Sequence, residues 1–329
     1  MEVDPANPIP LIDLAPLADG SREGAAEIAP ALCAALEDIG FLVIVNHGVP
    51  QDLIDRTFAQ AKRFHDQGMA AKQAVLMNAH NNGYMAMARY GVRTSWVSEN
   101  ALPDMNESFF IKRERPADDP LASRRFAGPN EWPTDLPGFR KDLLAYTETV
   151  DALGRRLLPV VALALELPSD TFDAAFAESQ FSFRLSHYPM VEQKPNQFGF
   201  APHTDANFMT FLAQSGVPGL QIKMASGEWW DVPYLPGSFV VNTGDMLHRW
   251  TNGRFRSTPH RVVPPEDQAR YAIPYFFGPH LDTRITCLPT CCSQDNPPRY
   301  PTITYDEYIN WWYDENYNAA DQDDLAADG

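Results

Sequence analysis

The stretch Phe181-Ser-Phe-Arg-Leu-Ser-His-Tyr188 opens the part of the chain that decides the fold. It is a short β-rich run, and five more follow: Asn207 to Ala213, Gly219 to Met224, Ser238 to Asn242, His260 to Val263 and Tyr271 to Phe277. Gly and Pro punctuate the gaps, as they do between strands. Many short strands at this spacing predict a closed or double-sheet β architecture, a barrel or a jelly roll.

Upstream, the character is helical. Ile28, Leu32, Leu36 and Ile39 recur at helical spacing before Gly40, followed by the strand Phe41-Leu-Val-Ile-Val45 and a turn at Asn46-His-Gly-Val-Pro50. Leu53, Ile54, Thr57, Phe58, Ala61 and Phe64 mark a second helix. Leu143, Tyr146, Val150, Leu153, Leu157 and Val161 mark a third, ending near Leu167-Pro168. Between these, Asn78 to Pro137 is rich in Asn, Pro, Arg and Asp with little periodicity. A segment of that length without regular structure is usually functional or disordered, so part of it is expected to line a pocket. The organisation expected is mainly β with α: a helical and loop region over 1–170, a β domain over 171–318 and an acidic tail over 319–329.

Composition narrows the function classes. The 329 residues are 44% hydrophobic and 21% charged, as in an ordinary globular protein. With 26 Lys plus Arg against 43 Asp plus Glu, the formal charge is −17. Such a field repels phosphate backbones and anionic membranes, although it can surround a locally basic pocket. The expected partner is therefore a small molecule, with no nucleic acid and no membrane, and the protein is a monomer or homodimer. Cys33, Cys287, Cys291 and Cys292 contain no C-x-x-C pair and read as reduced thiols. The acidic start Met1-Glu-Val-Asp4 has no apolar core behind it, and Leu157 to Leu165, interrupted by Pro159, is too short to span a bilayer. A cytoplasmic enzyme is expected.

The chemistry concentrates at His203-Thr-Asp205. In an extended segment residues i and i+2 project from one face, so imidazole and carboxylate can grip one metal ion. His260 begins another β-like run 57 positions later and completes a set of two His and one carboxylate. That set leaves three positions of an octahedral metal open, as a mononuclear non-haem iron(II) site needs for O₂ and a bidentate co-substrate. A structural zinc site would be closed by a fourth protein ligand. Arg270, ten positions further on, carries a fork that can hold a carboxylate bidentately.

With these residues in place, the sequence resembles the iron(II)/2-oxoglutarate-dependent dioxygenases of the isopenicillin N synthase-like type. The resemblance runs through Ile9-Pro-Leu-Ile-Asp-Leu14, Gly40 to Val49, Arg184-Leu-Ser-His-Tyr-Pro189, His203-Thr-Asp205, Val241-Asn-Thr-Gly-Asp245, Trp250 to Val262 and Arg270-Tyr-Ala-Ile-Pro-Tyr-Phe276. It implies a double-stranded β-helix, or jelly roll, wrapped by N-terminal helices. It implies Fe(II) bound by His203, Asp205 and His260, and the distal carboxylate of 2-oxoglutarate held by Arg270 with a hydrogen bond from Tyr188. The implied reaction consumes O₂ and 2-oxoglutarate, releases succinate and CO₂, and oxidises, most simply hydroxylates, a small molecule. Two positions depart from the family: Ala272 stands where Arg-x-Ser is usual, removing a hydroxyl donor, and Ser186 where relatives often carry Asn.

Candidate substrate-pocket residues are Tyr84, Met87, Arg89, Arg93, Asn106, Phe110, Phe276 and Phe277, with Arg89 and Arg93 placed to meet an anionic substrate or else forming surface ion pairs. His47, His187 and His248 read as structural, Asp245 as part of a turn, and His65, His80 and His280 as surface groups. Trp229-Trp230 and Trp311-Trp312-Tyr313 read as packing or lid residues; the run Tyr305 to Tyr317 caps the barrel mouth or supports a dimer interface. Two competing functions remain: an oxidase resembling isopenicillin N synthase that does not use 2-oxoglutarate, and a non-catalytic ligand-binding protein on the same fold.

Overall fold

The computed structural model describes residues 7–18, 20–87, 102–116, 118–191 and 194–317, with side chains as far as residue 315. In chain order it contains β1 (Leu11–Asp13), α1 (Arg22–Asp38), β2 (Phe41–Val45), α2 (Gln51–His65), α3 (Met69–Gln73), β3 (Gly83–Met85), β4 (Glu107–Lys112), α4 (Phe139–Ala164) and α5 (Asp173–Phe176). There follow β5 (Gln180–Tyr188), β6 (Phe200–His203), β7 (Met209–Gln214), β8 (Leu220–Lys223), β9 (Trp229–Asp231), β10 (Phe239–Thr243), α6 (Asp245–Trp250), β11 (His260–Val262), β12 (Arg270–Gly278), β13 (Arg284–Ile285), β14 (Ile303–Thr304) and α7 (Tyr305–Tyr317).

Two sheets form the core, as a jelly roll requires. The larger runs β1-β2-β10-β7-β12-β5-β4-β3 and the smaller β6-β11-β8-β9. Apart from the parallel β1–β2 pair, their ladders are antiparallel. The larger sheet is buried on both faces, and strand alternation divides its residues cleanly. Phe41, Val43, Val240 and Ala272 face the smaller sheet, packing with Phe200, Ile222 and Val262. Leu42, Ile44, Val241, Ile273, Tyr275 and Phe277 face the helical side and join its core.

The helices form where the periodicity places them. Ser21 caps α1, accepting the Gly24 N–H at 3.1 Å, and Gly40 ends the segment with a left-handed φ of 74°. The predicted stripe of α4, from Leu143 to Val161, is buried throughout. That helix runs through Pro159 but stops at Ala164, short of the expected end, with Glu166 left-handed at φ 59°.

The segment from 78 to 137 corrects the expectation of an irregular region. It contains β3 and β4, which extend the larger sheet beyond β5. All six residues of β4 are buried, so the strand shows no polar–apolar alternation, and the charged Glu107 and Lys112 at its ends disguise it further. Four helices also have no counterpart in the sequence reading: the short α3 and α5, α6, where Asp245 begins a helix rather than a turn, and α7, whose aromatic residues lack a single 3.6-residue period.

Candidate active site

His203 closes β6, His260 opens β11, and the two are direct partners across that antiparallel pair. Their ring centroids are 4.3 Å apart. Asp205 follows in the turn after β6, with its Oδ1 3.7 Å from the Nε2 of each histidine. All three are buried. Each histidine turns its Nδ1 to a carbonyl, His203 to Ala201 at 2.8 Å and His260 to Thr258 at 3.2 Å. A carbonyl only accepts, so Nδ1 carries the proton and the Nε2 lone pair faces Asp205. Burial pushes the His203 pKa down to about 3, helped by its neighbour His260. Burial alone would raise Asp205, but His260, His203 and hydrogen bonds from Asn242 and Thr210 outweigh it and hold the carboxylate ionised. Two imidazole nitrogens and one carboxylate are the donor set that suits a divalent iron.

The surrounding chain fixes Asp205. Its Oδ2 accepts from Thr210 Oγ1 at 2.6 Å and Asn242 Nδ2 at 2.8 Å, leaving Oδ1 on the histidine side. The Asp245 N–H donates to the Asp205 carbonyl at 2.6 Å, and the Gly244 N–H to the Phe208 carbonyl at 3.0 Å. A Cβ at Gly244 would stand 1.9 Å from the Asn207 carbonyl oxygen, so only glycine permits this approach. The stretch Val241-Asn-Thr-Gly-Asp245 is thus a clamp on the turn that carries Asp205.

Beside the triad lies an inner chamber lined by His260, Tyr188, Ser186, Ala272 and Arg270. Arg270 is 1% exposed. Its Nε donates to the Val217 carbonyl at 3.3 Å, while Nη1 and Nη2 have no hydrogen-bond partner. Register places Tyr188 directly opposite, with the guanidinium 5.1 Å from its ring centroid. Burial pulls the Arg270 pKa below its usual value; an incoming anion relieves that cost. Ser186 pairs with Ala272 across the same ladder, and its buried Oγ also lacks a partner. An orphaned fork and an orphaned hydroxyl next to His203, Asp205 and His260 fit a small carboxylate-bearing chelator.

Residues 179–279 match the 2OG-Fe(II) oxygenase superfamily, and residues 9–135 match the family described as non-haem dioxygenase in morphine synthesis N-terminal. The chain is 32% identical over 324 residues to the 2-oxoglutarate-Fe(II) type oxidoreductase hxnY of Emericella nidulans, covering 95% of this chain and 91% of that one. It belongs to the 2OG-Fe(II) oxygenase superfamily. Its fold matches a full-length Neurospora crassa protein solved in complex with alpha-KG and thymine, with TM-score 0.81 and 28% identity over 92% of this chain and 95% of that one. It also matches JOX2 in complex with 2OG, Fe and JA, with TM-score 0.79 and 28% identity over 94% and 85%. The protein is a 2-oxoglutarate-dependent dioxygenase that uses Fe(II), 2-oxoglutarate and O₂. Of the three readings of the sequence, this is the one its relatives carry.

An outer chamber of the oxygenase opens on the other side of His203 and Asp205, with about 950 Å³ of empty space including its mouth. Phe110 and Phe276 line it, as expected. Other expected pocket residues lie elsewhere. Tyr84 is fully buried and donates its hydroxyl to Glu107. Met87 is 43% exposed on the surface. Asn106 sits behind the wall, its Oδ1 accepting from Arg184 and its Nδ2 donating to the Gly199 carbonyl at 2.6 Å. Phe277 follows Phe276 on a strand, so it points to the opposite face and stacks on Phe176. Arg89 and Arg93 lie outside the described residues. Lining residues not expected there include Lys112, Ser182 and Arg184; Tyr305 and Trp312 also line it, so α7 covers this chamber, as one of the two readings of the run Tyr305 to Tyr317 has it.

The remaining histidines are accounted for by hydrogen bonds. His47 meets the Gly237 carbonyl at 3.1 Å and His248 the Phe255 carbonyl at 2.7 Å. Asp245 accepts from Thr204 and Tyr308, both at 3.1 Å, and is no fourth ligand. His65 is buried rather than on the surface. It forms with Glu107 and His187 a second cluster of metal-ligating types. There, however, Lys72 Nζ lies 2.8 Å from Glu107 Oε2 and His187 Nδ1 2.8 Å from Oε1, so an ammonium already neutralises the carboxylate. This network ties α2, α3 and β3 to the outer side of β4 and β5.

Proposed function

We propose that His203, Asp205 and His260 hold the Fe(II) of this oxygenase, and that Arg270 and Tyr188 hold the distal carboxylate of 2-oxoglutarate. The observation that carries this reading is the convergence of three buried ligand atoms beside a guanidinium whose Nη1 and Nη2 have no protein partner. Bound there, iron and 2-oxoglutarate supply the oxidising power, with O₂ consumed and succinate and CO₂ released. The chain supplies orientation. Thr210 and Asn242 hold Asp205, backbone carbonyls fix the histidine tautomers, and the two-sheet wall keeps water from the reacting atoms.

The substrate enters through the outer chamber, and hydroxylation is the reaction the site serves most directly. Residues 1–170 contribute most of the helices together with strands β1–β4 of the larger sheet, 171–318 contribute the other strands of the jelly roll, and 319–329 are acidic in sequence. The absence of disulfides among the four cysteines suits a reducing, cytoplasmic setting, and no helix among the described residues is long and apolar enough to cross a membrane. The enzyme works as a monomer or homodimer on a small molecule. To test the site, Fe(II) binding is measured anaerobically for His203→Ala, Asp205→Ala and His260→Ala. Each is expected to lose stoichiometric iron while keeping its fold; retention of full iron affinity in all three would remove the assignment.

A further inference from the structure

The outer chamber carries a charge pattern that the binding of iron and 2-oxoglutarate does not explain. In the β4–β5 ladder Phe110 faces Arg184 and Lys112 faces Ser182. These four side chains therefore share one face, as a two-by-two patch on the chamber wall. The Arg184 guanidinium lies between two rings, 5.0 Å from the centroid of Phe110 and 4.8 Å from that of Phe200. Its Nε donates to Ser108 Oγ at 2.7 Å and its Nη2 to Asn106 Oδ1. Neither partner is an anion, and Nη1 meets no acceptor among the described residues.

Lys112 is similar. Its buried Nζ donates to the Asn81 carbonyl and, at 3.0 Å, to Asn82 Oδ1, again without a carboxylate. Burial pulls its pKa to about 7, with nearby Arg125 adding to the effect. Ser182 Oγ, on the same patch, is buried and unpartnered. Among the described lining residues the only carboxylate is Asp205, whose Oδ2 is bound by Thr210 and Asn242 and whose Oδ1 faces the histidines. A buried guanidinium and a buried amine thus face a cavity whose one described carboxylate, Asp205, is already engaged, in a chain of net charge −17. Uncompensated buried charge is costly unless a ligand pairs with it.

We propose that the substrate is an organic acid with an apolar, ring-sized body, whose carboxylate docks on the patch formed by Arg184, Ser182 and Lys112. With Nε and Nη2 held by Ser108 and Asn106, the guanidinium keeps Nη1 to donate to an incoming carboxylate. Met77, Met85, Phe126, Phe276 and Trp312 give the chamber an apolar portion that accommodates the body of the acid. The acid group is anchored on the sheet wall, and another carbon of the substrate is turned toward His203 and Asp205. This inference rests on the proposed function, because it takes the iron to lie at that edge.

The test uses the anaerobic Fe(II)·2-oxoglutarate enzyme with 2-oxoglutarate saturating, so that acids cannot occupy the co-substrate site. Calorimetric titration compares benzoate, phenylacetate, cinnamate, 4-phenylbutyrate and indole-3-acetate with their primary amides. At least one acid is expected to bind, at least roughly tenfold more tightly than its amide, as loss of a charge-assisted pair requires. Arg184→Gln is expected to abolish that preference while the charge-transfer band of the chelate persists. Amides that bind as tightly as their acids, or no acid binding at all, would overturn the proposal, and the wild-type comparison needs no variant to fold. Failure of the underlying reading looks different: the wild-type enzyme would then show no chelate band.

Discussion

Asn242 and Thr210 are direct partners across the β10–β7 ladder, and both donate to the same oxygen, Oδ2 of Asp205. A single rung of the larger sheet thereby sets the rotamer of a proposed iron ligand. Replacing either donor, by Asn242→Ala or Thr210→Val, is expected to weaken Fe(II) binding by roughly 10–100-fold, the usual effect of losing an outer-shell partner. The pair acts on one oxygen, so the double variant should lose less than the product of the two single effects. Anaerobic Fe(II) titration checks this; unchanged affinity in both single variants means that Asp205 is oriented by something else.

Ser186 and Ala272 face each other in the same way on β5 and β12. The hydroxyl missing at 272 is therefore available one strand over, and it has no other use in the protein. Ser186→Ala should raise the dissociation constant of 2-oxoglutarate by roughly 10–100-fold, the worth of one hydrogen bond to a charged group. Adding Ala272→Ser to that variant should recover much of the loss. Binding is read from the chelate absorbance, and a double variant no better than Ser186→Ala would show that the two positions are not interchangeable.

The buried network around Glu107 governs acid stability. Burial alone would raise the Glu107 pKa, but His187, His65 and Lys72 together hold the carboxyl well below its usual range. A depressed folded-state pKa contributes stability above the unfolded value of about 4.3 that drains away as pH falls below it. Urea unfolding of Glu107→Gln should therefore be less steeply dependent on pH between about 5 and 3 than wild type. At pH 7 the variant should be less stable by about 3–5 kcal/mol, because Lys72 keeps its charge without its partner. Equal acid limbs in the two proteins would contradict the account of this network.

Lys112 gives a slope of the same sense in a higher pH window. Its folded pKa of about 7 lies below its ordinary value of 10.5, so the unfolded chain holds more protons between those values and stability rises with pH. Measured as the difference from Lys112→Met, the wild-type protein should gain stability from pH 7 to pH 9. A flat difference means that Lys112 titrates normally and that the chamber wall is wetter than its burial implies.

Much of this site could be read from the sequence because its strands are bounded by Gly and Pro and its ligands lie at or just beyond strand ends. The runs from Phe181 to Phe277 differ from the observed strands by only a residue or two at their ends. β4 escaped because a strand buried on both faces has no alternation, and its two charged ends pair only in three dimensions, Glu107 with Lys72 and Lys112 with the Asn81–Asn82 turn. Adjacent Phe276 and Phe277 cannot both face one chamber, and period-two counting separates them. The same counting back from Tyr188 places Ser186, Arg184 and Ser182 on the cavity face, a signal present in the sequence and unused. Tyr84 and Asn106 carried no such signal, since their orientation depends on β3 and β4 joining the sheet.

The central claim is that one pocket holds both a His–Asp–His iron and a 2-oxoglutarate paired with Arg270. Its most direct test is an anaerobic titration of the purified protein with Fe(II) and then 2-oxoglutarate, following the visible metal-to-ligand charge-transfer band of the chelate. The account predicts a band that saturates at one equivalent, with half-saturation moved to much higher 2-oxoglutarate in Arg270→Ala and only slightly in Tyr188→Phe. Bound iron without a band, or a band whose 2-oxoglutarate dependence is the same in Arg270→Ala as in wild type, would contradict it.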